Sequence, residues 1–217
     1  MHFGHLQKKL NLKIDFKSCL LLALSLFIPF LFVVNLDCSK CIVPLDSALA
    51  SLFFYGLIPL VIIVFLFRED PKVFGYSLGD KKLVLFSSII FSLYLTPIIL
   101  LFHFIPNLSA YYSIQTFASI SEFILFELKL GVELFFWELF FRGFILFGLY
   151  KKLGNIALPI HAIPFTFFHL GKPPIEIIFS FIAALLLGQI ALKSKSFLPA
   201  FAIHWIIATE MILLVNL

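Results

Sequence analysis

The sequence is poor in charge. Asp, Glu, Lys and Arg make up 13% of its 217 residues, whereas an ordinary soluble domain contains about 25%. Hydrophobic residues make up 62%, and so few charged side chains could not cover that apolar surface in water. A disordered chain is excluded as well, because such chains are poor in apolar residues. The composition therefore predicts an integral membrane protein.

Cysteine is also scarce, with three residues. Cys19 falls in the first apolar stretch and is expected to pack without reacting. Cys38 and Cys41 form a Cys-x-x-Cys pair in the loop that follows. No second ligand pair lies nearby, so this pair does not predict a metal site. A local disulfide stays open as an alternative.

Long apolar runs are what the sequence has in abundance. A membrane-spanning helix needs about 20 mostly apolar residues. Seven stretches meet or approach this length, at residues 18–36, 47–67, 83–104, 120–150, 155–170, 174–192 and 197–216. They predict an all-α bundle of about seven transmembrane helices in one domain, 1–217. The fifth stretch is short and contains Pro164, so we expect a kink or partial burial there.

The basic residues indicate an orientation in the membrane. Twelve of the 16 fall on one side if the spans alternate: Lys8, Lys9, Lys13, Lys17, Arg68, Lys72, Lys81, Lys82, Lys151, Lys152, Lys193 and Lys195. The positive-inside rule then places the N-terminus in the cytoplasm, and we expect the inner membrane of a bacterium. The lipid bilayer accounts for the positive charge, so no nucleic-acid partner is expected.

The fourth stretch contains six ionisable residues: Glu122, Glu127, Lys129, Glu133, Glu138 and Arg142. Each costs about 2.5–3.5 kcal/mol at membrane depth and is a functional candidate. At about 100° per residue, Glu127, Glu138 and Arg142 share one helix face. The spacing allows Glu138 to pair with Arg142, and Lys129 with Glu133. Ion pairs that only fix helix packing are the alternative to a functional role.

Two histidines on later stretches, His169 and His204, extend this set. Together with Glu138 they form a two-His, one-Glu combination that is known for catalytic zinc. The same three residues could instead hold and activate a water molecule by general-base chemistry. Taken alone, a histidine on an apolar helix is more often a buried hydrogen-bond donor with a structural role than a ligand. His103 and His161 lie near the ends of spans and are predicted to be structural.

These residues resemble a family of intramembrane proteases. The segment Trp137-Glu138-Leu139-Phe140-Phe141-Arg142-Gly143 resembles the Glu-Glu-x-x-x-Arg motif of the CAAX-protease and bacteriocin-processing (CPBP, Abi-type) family. Phe165-Thr166-Phe167-Phe168-His169 is similar to its Phe-x-x-x-His motif, and His204 stands where its third motif has a histidine. The resemblance covers residues 118–210.

The resemblance implies an intramembrane endopeptidase that cuts membrane-associated proteins or peptides. In the family, substrates include prenylated CAAX proteins, and bacterial members are associated with peptide maturation and bacteriocin immunity. It implies catalytic roles for Glu138, His169 and His204, with Arg142 in support. Zinc held by Glu138, His169 and His204 and a metal-free, glutamate-dependent site are equally compatible with it.

The sequence departs from the family pattern at two positions. The first motif glutamate is replaced by Trp137, and Ala208 stands where the third motif has an asparagine. Tryptophan cannot act as a base, and losing one oxyanion donor costs about 10²–10³ in rate. Glu133 lies four residues before Trp137, on the same helix face, and could supply the base.

Two other functions therefore stand beside the protease. One is a catalytically inactive relative that binds a membrane protein or peptide, in regulation or immunity. The other is a small transporter in which Glu127 and Glu138 relay protons. A transporter is less favoured, because the sequence lacks the paired broken helices of a transport site.

Overall fold

The structure is a computed structural model that describes residues 15–37, 46–102, 104–113 and 116–216. These residues form helices and turns and contain no strand, which confirms the predicted all-α bundle. The helices are α1 (Phe16–Asp37), α2 (Ser47–Phe67), α3 (Lys81–Phe102), α4 (Pro106–Tyr112), α5 (120–153), α6 (Ala157–Phe167), α7 (Pro174–Ser194) and α8 (Leu198–Asn216). The predictions for Cys38, Cys41 and His103 lie outside the described residues.

Four of these helices, α1, α2, α3 and α7, are long and apolar enough to cross a membrane. Helix α8 contains a shorter apolar segment, Leu198–Leu214. Helix α6 has 11 residues, which at 1.5 Å per residue reach about half of the hydrocarbon thickness. The helices follow the predicted stretches in order, and the chain is an integral membrane protein.

Helix α5 lies at the centre of the bundle and changes its winding along its length. It is α-helical over Ile120–Glu138, a π-helix over Leu139–Phe147, and α-helical again over Gly148–Leu153. The residues from Leu139 to Leu146 are all buried. They pack against α1, α2, α6 and α7. Among the described residues, positions 138–146 form the longest unbroken buried run, and it overlaps the first motif.

The remaining helices approach α5 closely where small residues allow it. Gly188 of α7 lies so near α5 and α6 that a Cβ atom there would come within 2.9 Å of Leu158, 3.0 Å of His161 and 3.1 Å of Leu146. Small residues at helix interfaces are the usual way in which membrane helices pack tightly. Gly188 thus sets the distance between α7 and the helices that carry the site.

An ion-pair cluster ties three helix ends together on one side of the bundle. Glu69, just after α2, pairs with Lys17 of α1 and Lys151 of α5, and Asp15 pairs with Lys152 over 3.3 Å. Burial alone would raise the pKa of Glu69, but the two lysines outweigh burial and hold that pKa below its usual value. Residues 17, 69 and 151 therefore share a side, as the predicted alternation of spans requires.

We expect Gly188→Val to lower the free energy of unfolding by about 1–3 kcal/mol, because the added side chain overpacks the contact with α5 and α6. Thermal unfolding in detergent measures the effect. Leu186→Val is the matched control on the same helix: Leu186 is 47% exposed, so its cost should stay within about 0.5 kcal/mol. Equal costs for the two variants would contradict the close packing described here.

Candidate active site

The site is built around the carboxylate of Glu138, which is completely buried. Arg142, also completely buried, donates from Nη1 to Oε1 of Glu138 over 3.1 Å and places Nε 3.0 Å from Oε2. His204 of α8 lies with Nδ1 2.6 Å from Oε1 of the same carboxylate. The predicted Glu138–Arg142 pair is confirmed, and His204 joins it from another helix.

The winding of α5 changes between Glu138 and Arg142. Glu138 is the last residue of the α-helical part, and Arg142 lies in the π-helical part that follows. π-helical turns are rare and are frequent at functional sites. Here the wider turn still allows the two side chains to pair four residues apart.

Phe165 connects the second motif to this ion pair. Its ring lies 3.9 Å from the guanidinium carbon of Arg142, a cation–π contact that satisfies part of a buried charge. Its backbone carbonyl oxygen lies 3.0 Å from Nδ1 of His169, which follows the end of α6. The four-residue spacing of Phe165 and His169 therefore has a physical reason, because one residue orients the other.

The partners of the two histidines determine which nitrogen is left for a ligand. The carbonyl of Phe165 only accepts, so Nδ1 of His169 donates to it and Nε2 carries the lone pair. Glu138 as a carboxylate also only accepts, so neutral His204 likewise donates from Nδ1 and keeps a lone pair on Nε2. Each histidine thus has an Nε2 lone pair that no intramolecular contact uses in this assignment.

Both histidines line a cavity of about 680 Å³ between α3, α4, α5, α7 and α8. A cavity of this size is in the range of small-molecule and peptide sites. Its wall is mostly apolar, with polar side chains such as Lys172, Glu176 and Tyr112. Glu138 is not among the lining residues and stands behind His204. The histidines, rather than the glutamate, therefore face the space that a substrate would enter.

The two positions that depart from the family pattern also border the site. Ala208 lines the cavity one turn after His204, where it presents only a methyl group. Trp137 packs against Tyr55 and Phe141, with ring centroids 5.4 and 4.6 Å apart, and has its centroid 6.4 Å from that of His169. Trp137 thus fills space beside His169 instead of supplying a carboxylate.

Glu133 is held away from both histidines. Its carboxylate accepts a hydrogen bond from Ser47 at the start of α2, and Glu133 does not line the cavity. The predicted pair between Lys129 and Glu133 is wrong: Lys129 pairs with Asp46 over 2.9 Å. Lys129 pairs with Asp46, directly before α2, instead of with Glu133 on its own helix. Residue spacing along α5 gives no information about partners elsewhere in the chain.

Other intramembrane carboxylates have partners that the sequence did not reveal. Oε2 of Glu127 accepts from Nε1 of Trp205 over 3.0 Å and from Oγ1 of Thr209 over 2.7 Å. Glu210 accepts from Thr96 of α3 over 2.7 Å. Glu127 therefore belongs to the contact between α5 and α8. Although Glu127 and Glu138 were expected on one helix face, Glu127 contacts Trp205 and Thr209, whereas Glu138 contacts Arg142 and His204.

The donor set does not fit a zinc ion bound by Glu138, His169 and His204. Oε1 of Glu138 accepts from Nη1 of Arg142 and lies 2.6 Å from Nδ1 of His204. Oε2 has no hydrogen-bond partner, but it lies 3.0 Å from Nε of the cationic Arg142, which would repel a zinc ion at that oxygen. A catalytic zinc takes three protein ligands, and only the two Nε2 atoms are left. Within the described residues, no three His, Cys, Asp or Glu side chains are grouped to hold a metal.

Comparison with known families agrees with the motifs. Residues 119–209 match the family described as Type II CAAX prenyl endopeptidase Rce1-like. The match covers less than half of the chain and includes all three motifs, and it confirms the resemblance. The chain has no significant match to a curated protein or to a solved structure.

We expect Glu138→Leu or Arg142→Leu alone to lower the free energy of unfolding by about 3–5 kcal/mol, because each leaves a buried charge unpaired. The double variant should cost less than the sum of the two. Lys129→Gln breaks the exposed pair with Asp46 and is the control, with a cost of about 0–1 kcal/mol. Chemical unfolding in detergent measures all four, and single variants as mild as the control would contradict a buried pair.

Proposed function

Starting from the family match, we propose that the protein is an intramembrane endopeptidase of the CAAX type. The single observation that carries this proposal is the placement of His169 and His204 on the wall of one cavity, with Glu138 buried behind His204. A histidine side chain that can reach a water molecule in a cavity is a common general base for hydrolysis. The proposal includes the bacterial inner membrane and a cytoplasmic N-terminus.

In the proposed mechanism, the water lies between the Nε2 atoms of His169 and His204. Nε2 of His204 takes the proton as the oxygen attacks the carbonyl carbon of the scissile peptide bond. The negative charge of Glu138, 2.6 Å from Nδ1, stabilises the imidazolium that forms, and Arg142 keeps Glu138 in place. The imidazolium then gives its proton to the leaving amine. Glu138 therefore acts through His204 and does not touch the substrate.

The apolar wall of the cavity supports a membrane-associated substrate. Phe91, Phe102, Phe126 and Phe179 line it, so an apolar peptide or lipidated segment would leave the bilayer for a similar environment. Lys172 pairs with Glu176 over 2.5 Å, and Tyr112 donates to the same glutamate over 3.0 Å. These three cavity-lining side chains could form hydrogen bonds with the backbone of a substrate.

The second candidate function is an inactive relative that binds a membrane protein or peptide in the same cavity, in regulation or immunity. The observation that favours it is the pair of departures at Trp137 and Ala208, both of which border the site. Neither residue can replace the group that the family pattern places there. Cleavage assays distinguish the two functions.

We expect purified wild-type protein in liposomes to cleave a labelled peptide library. His169→Ala and His204→Ala should reduce kcat by about a hundredfold or more, since each removes a group that holds the water. Glu122→Gln, at an exposed position on α5, is the control that should leave the rate unchanged. Cleavage that survives loss of His169 would refute the proposed site.

Further variants separate the alternatives. Ala208→Asn should raise kcat, because an oxyanion donor contributes about 10²–10³ in rate. Cleavage only in Trp137→Glu or Ala208→Asn would establish an inactivated scaffold. Glu133→Gln should leave activity intact, given the contact of Glu133 with Ser47; lost activity would instead assign the base to Glu133.

A chelator should leave the cleavage rate unchanged, because the donor set offers only two histidine nitrogens. The measurement is the rate before and after treatment with a zinc chelator, together with metal analysis of the purified protein. Stoichiometric zinc and activity that is lost on chelation and restored by zinc would overturn the metal-free mechanism.

A further inference from the structure

Helices α5 and α8 meet along a line of contacts that extends well beyond Glu138 and His204. Phe135 of α5 packs against Phe201 of α8 and against Phe197 directly before α8, with ring centroids 5.3 and 5.0 Å apart. Further toward the start of α5, Glu127 accepts from both Trp205 and Thr209. The two helices run antiparallel, and Glu127 holds the end of the contact that lies farthest from Phe135.

Trp205, the immediate neighbour of His204, is fixed by three separate contacts. Its Nε1 donates to Glu127 over 3.0 Å, and its ring stacks on Phe201 with centroids 5.5 Å apart. Its ring also covers Gly131, where a Cβ atom would come within 2.8 Å of it. Glu127 and Gly131 are one turn apart on α5, so together they form a seat for the indole.

The arrangement of Glu127 does not follow from packing alone. One oxygen accepts both hydrogen bonds, while Oε1 is buried and has no hydrogen-bond partner. A buried polar atom without a partner is costly, so an ordinary packing position would favour an apolar residue. Glu127, Trp205 and Thr209 do not line the cavity, which excludes a direct contact with a substrate there.

We propose that Glu127 is a positioning residue of the site. By holding Trp205 and Thr209, it sets the rotation of α8 about its axis. That rotation keeps Nδ1 of His204 at Glu138 and keeps the His204 side chain on the wall of the cavity. A small rotation would move both nitrogens, because His204 and Trp205 are adjacent on one helix. This proposal deepens the proposed function and depends on it for its kinetic consequences.

The test compares Glu127→Leu, which removes the acceptor, with Glu127→Gln, whose amide oxygen can still accept from Trp205 and Thr209. Glu127→Leu should lower kcat by about tenfold or more, since misplacing a catalytic group by about 1 Å costs up to a hundredfold. KM should change less than twofold, because Glu127 does not reach the cavity. Glu127→Gln should retain at least half of the wild-type kcat. Glu122→Gln is the control for the loss of a carboxylate on the same helix, and its kcat should equal that of the wild type.

A spectroscopic readout keeps the proposal testable if no peptide is cleaved. The chain has two tryptophans and six histidines, so ¹⁵N signals of the Trp205 indole and the His204 ring can be assigned with Trp137→Phe and His204→Gln. Glu127→Leu should shift both signals, and Glu127→Gln should keep both near their wild-type positions. A Trp205 shift without a His204 shift would overturn the proposal, as would a wild-type kcat in Glu127→Leu.

Gly131→Ala provides a second variant if Glu127→Leu does not fold. It leaves Glu127 in place and displaces the Trp205 ring through the close contact at its Cβ position. The same loss of kcat and the same His204 shift should follow. An unchanged His204 signal in a folded Gly131→Ala protein with a shifted Trp205 signal would refute the coupling between the seat and the histidine.

Discussion

The buried carboxylate of Glu138 is the constraint on which the rest of the site depends. A buried charge is costly unless it is paired. Arg142 of α5 pairs with the carboxylate, and His204 of α8 contacts its Oε1, while Oε2 has only the ion pair with Arg142. Phe165 then covers the guanidinium of Arg142 and orients His169. One ion pair thus organises residues from α5, α6 and α8, and both motif histidines, whose Nδ1 atoms have partners, lie on the cavity wall.

The same constraint explains how a very apolar protein can accommodate reactive groups. The charged residues of α5 are distributed among different neighbours: Lys129 with Asp46, Glu133 with Ser47, Glu127 with Trp205 and Thr209. Each contact joins α5 to another helix, so the charges also fix how the helices pack. Glu138 differs from the others because its partner, His204, lines the cavity of about 680 Å³.

Much of the fold followed from the sequence, because apolar runs of about 20 residues have few alternatives in a bilayer. The pair Glu138–Arg142 was also predictable, since four-residue spacing puts two side chains of a helix within reach. The two histidines were singled out by their place in apolar stretches and by the family resemblance. The Lys129–Glu133 pair was not correct, because spacing on one helix says nothing about competitors on the next. The angular positions of residues around α5 failed to identify the partners of Glu127 for the same reason. In addition, the π-helix that follows Glu138 does not turn by 100° per residue, so the predicted position of Arg142 on the helix face does not apply.

By itself the sequence determined that the chain is a membrane protein, where its helices run, and which residues carry the three motifs. Those properties depend on local composition and on spacing along the chain. Only the tertiary structure decided which histidine contacts Glu138, which side chains face the cavity, and that Trp205 is held beside His204. These depend on the rotation and distance of helices that are far apart in sequence, and close contacts such as those at Gly131 and Gly188 fix both.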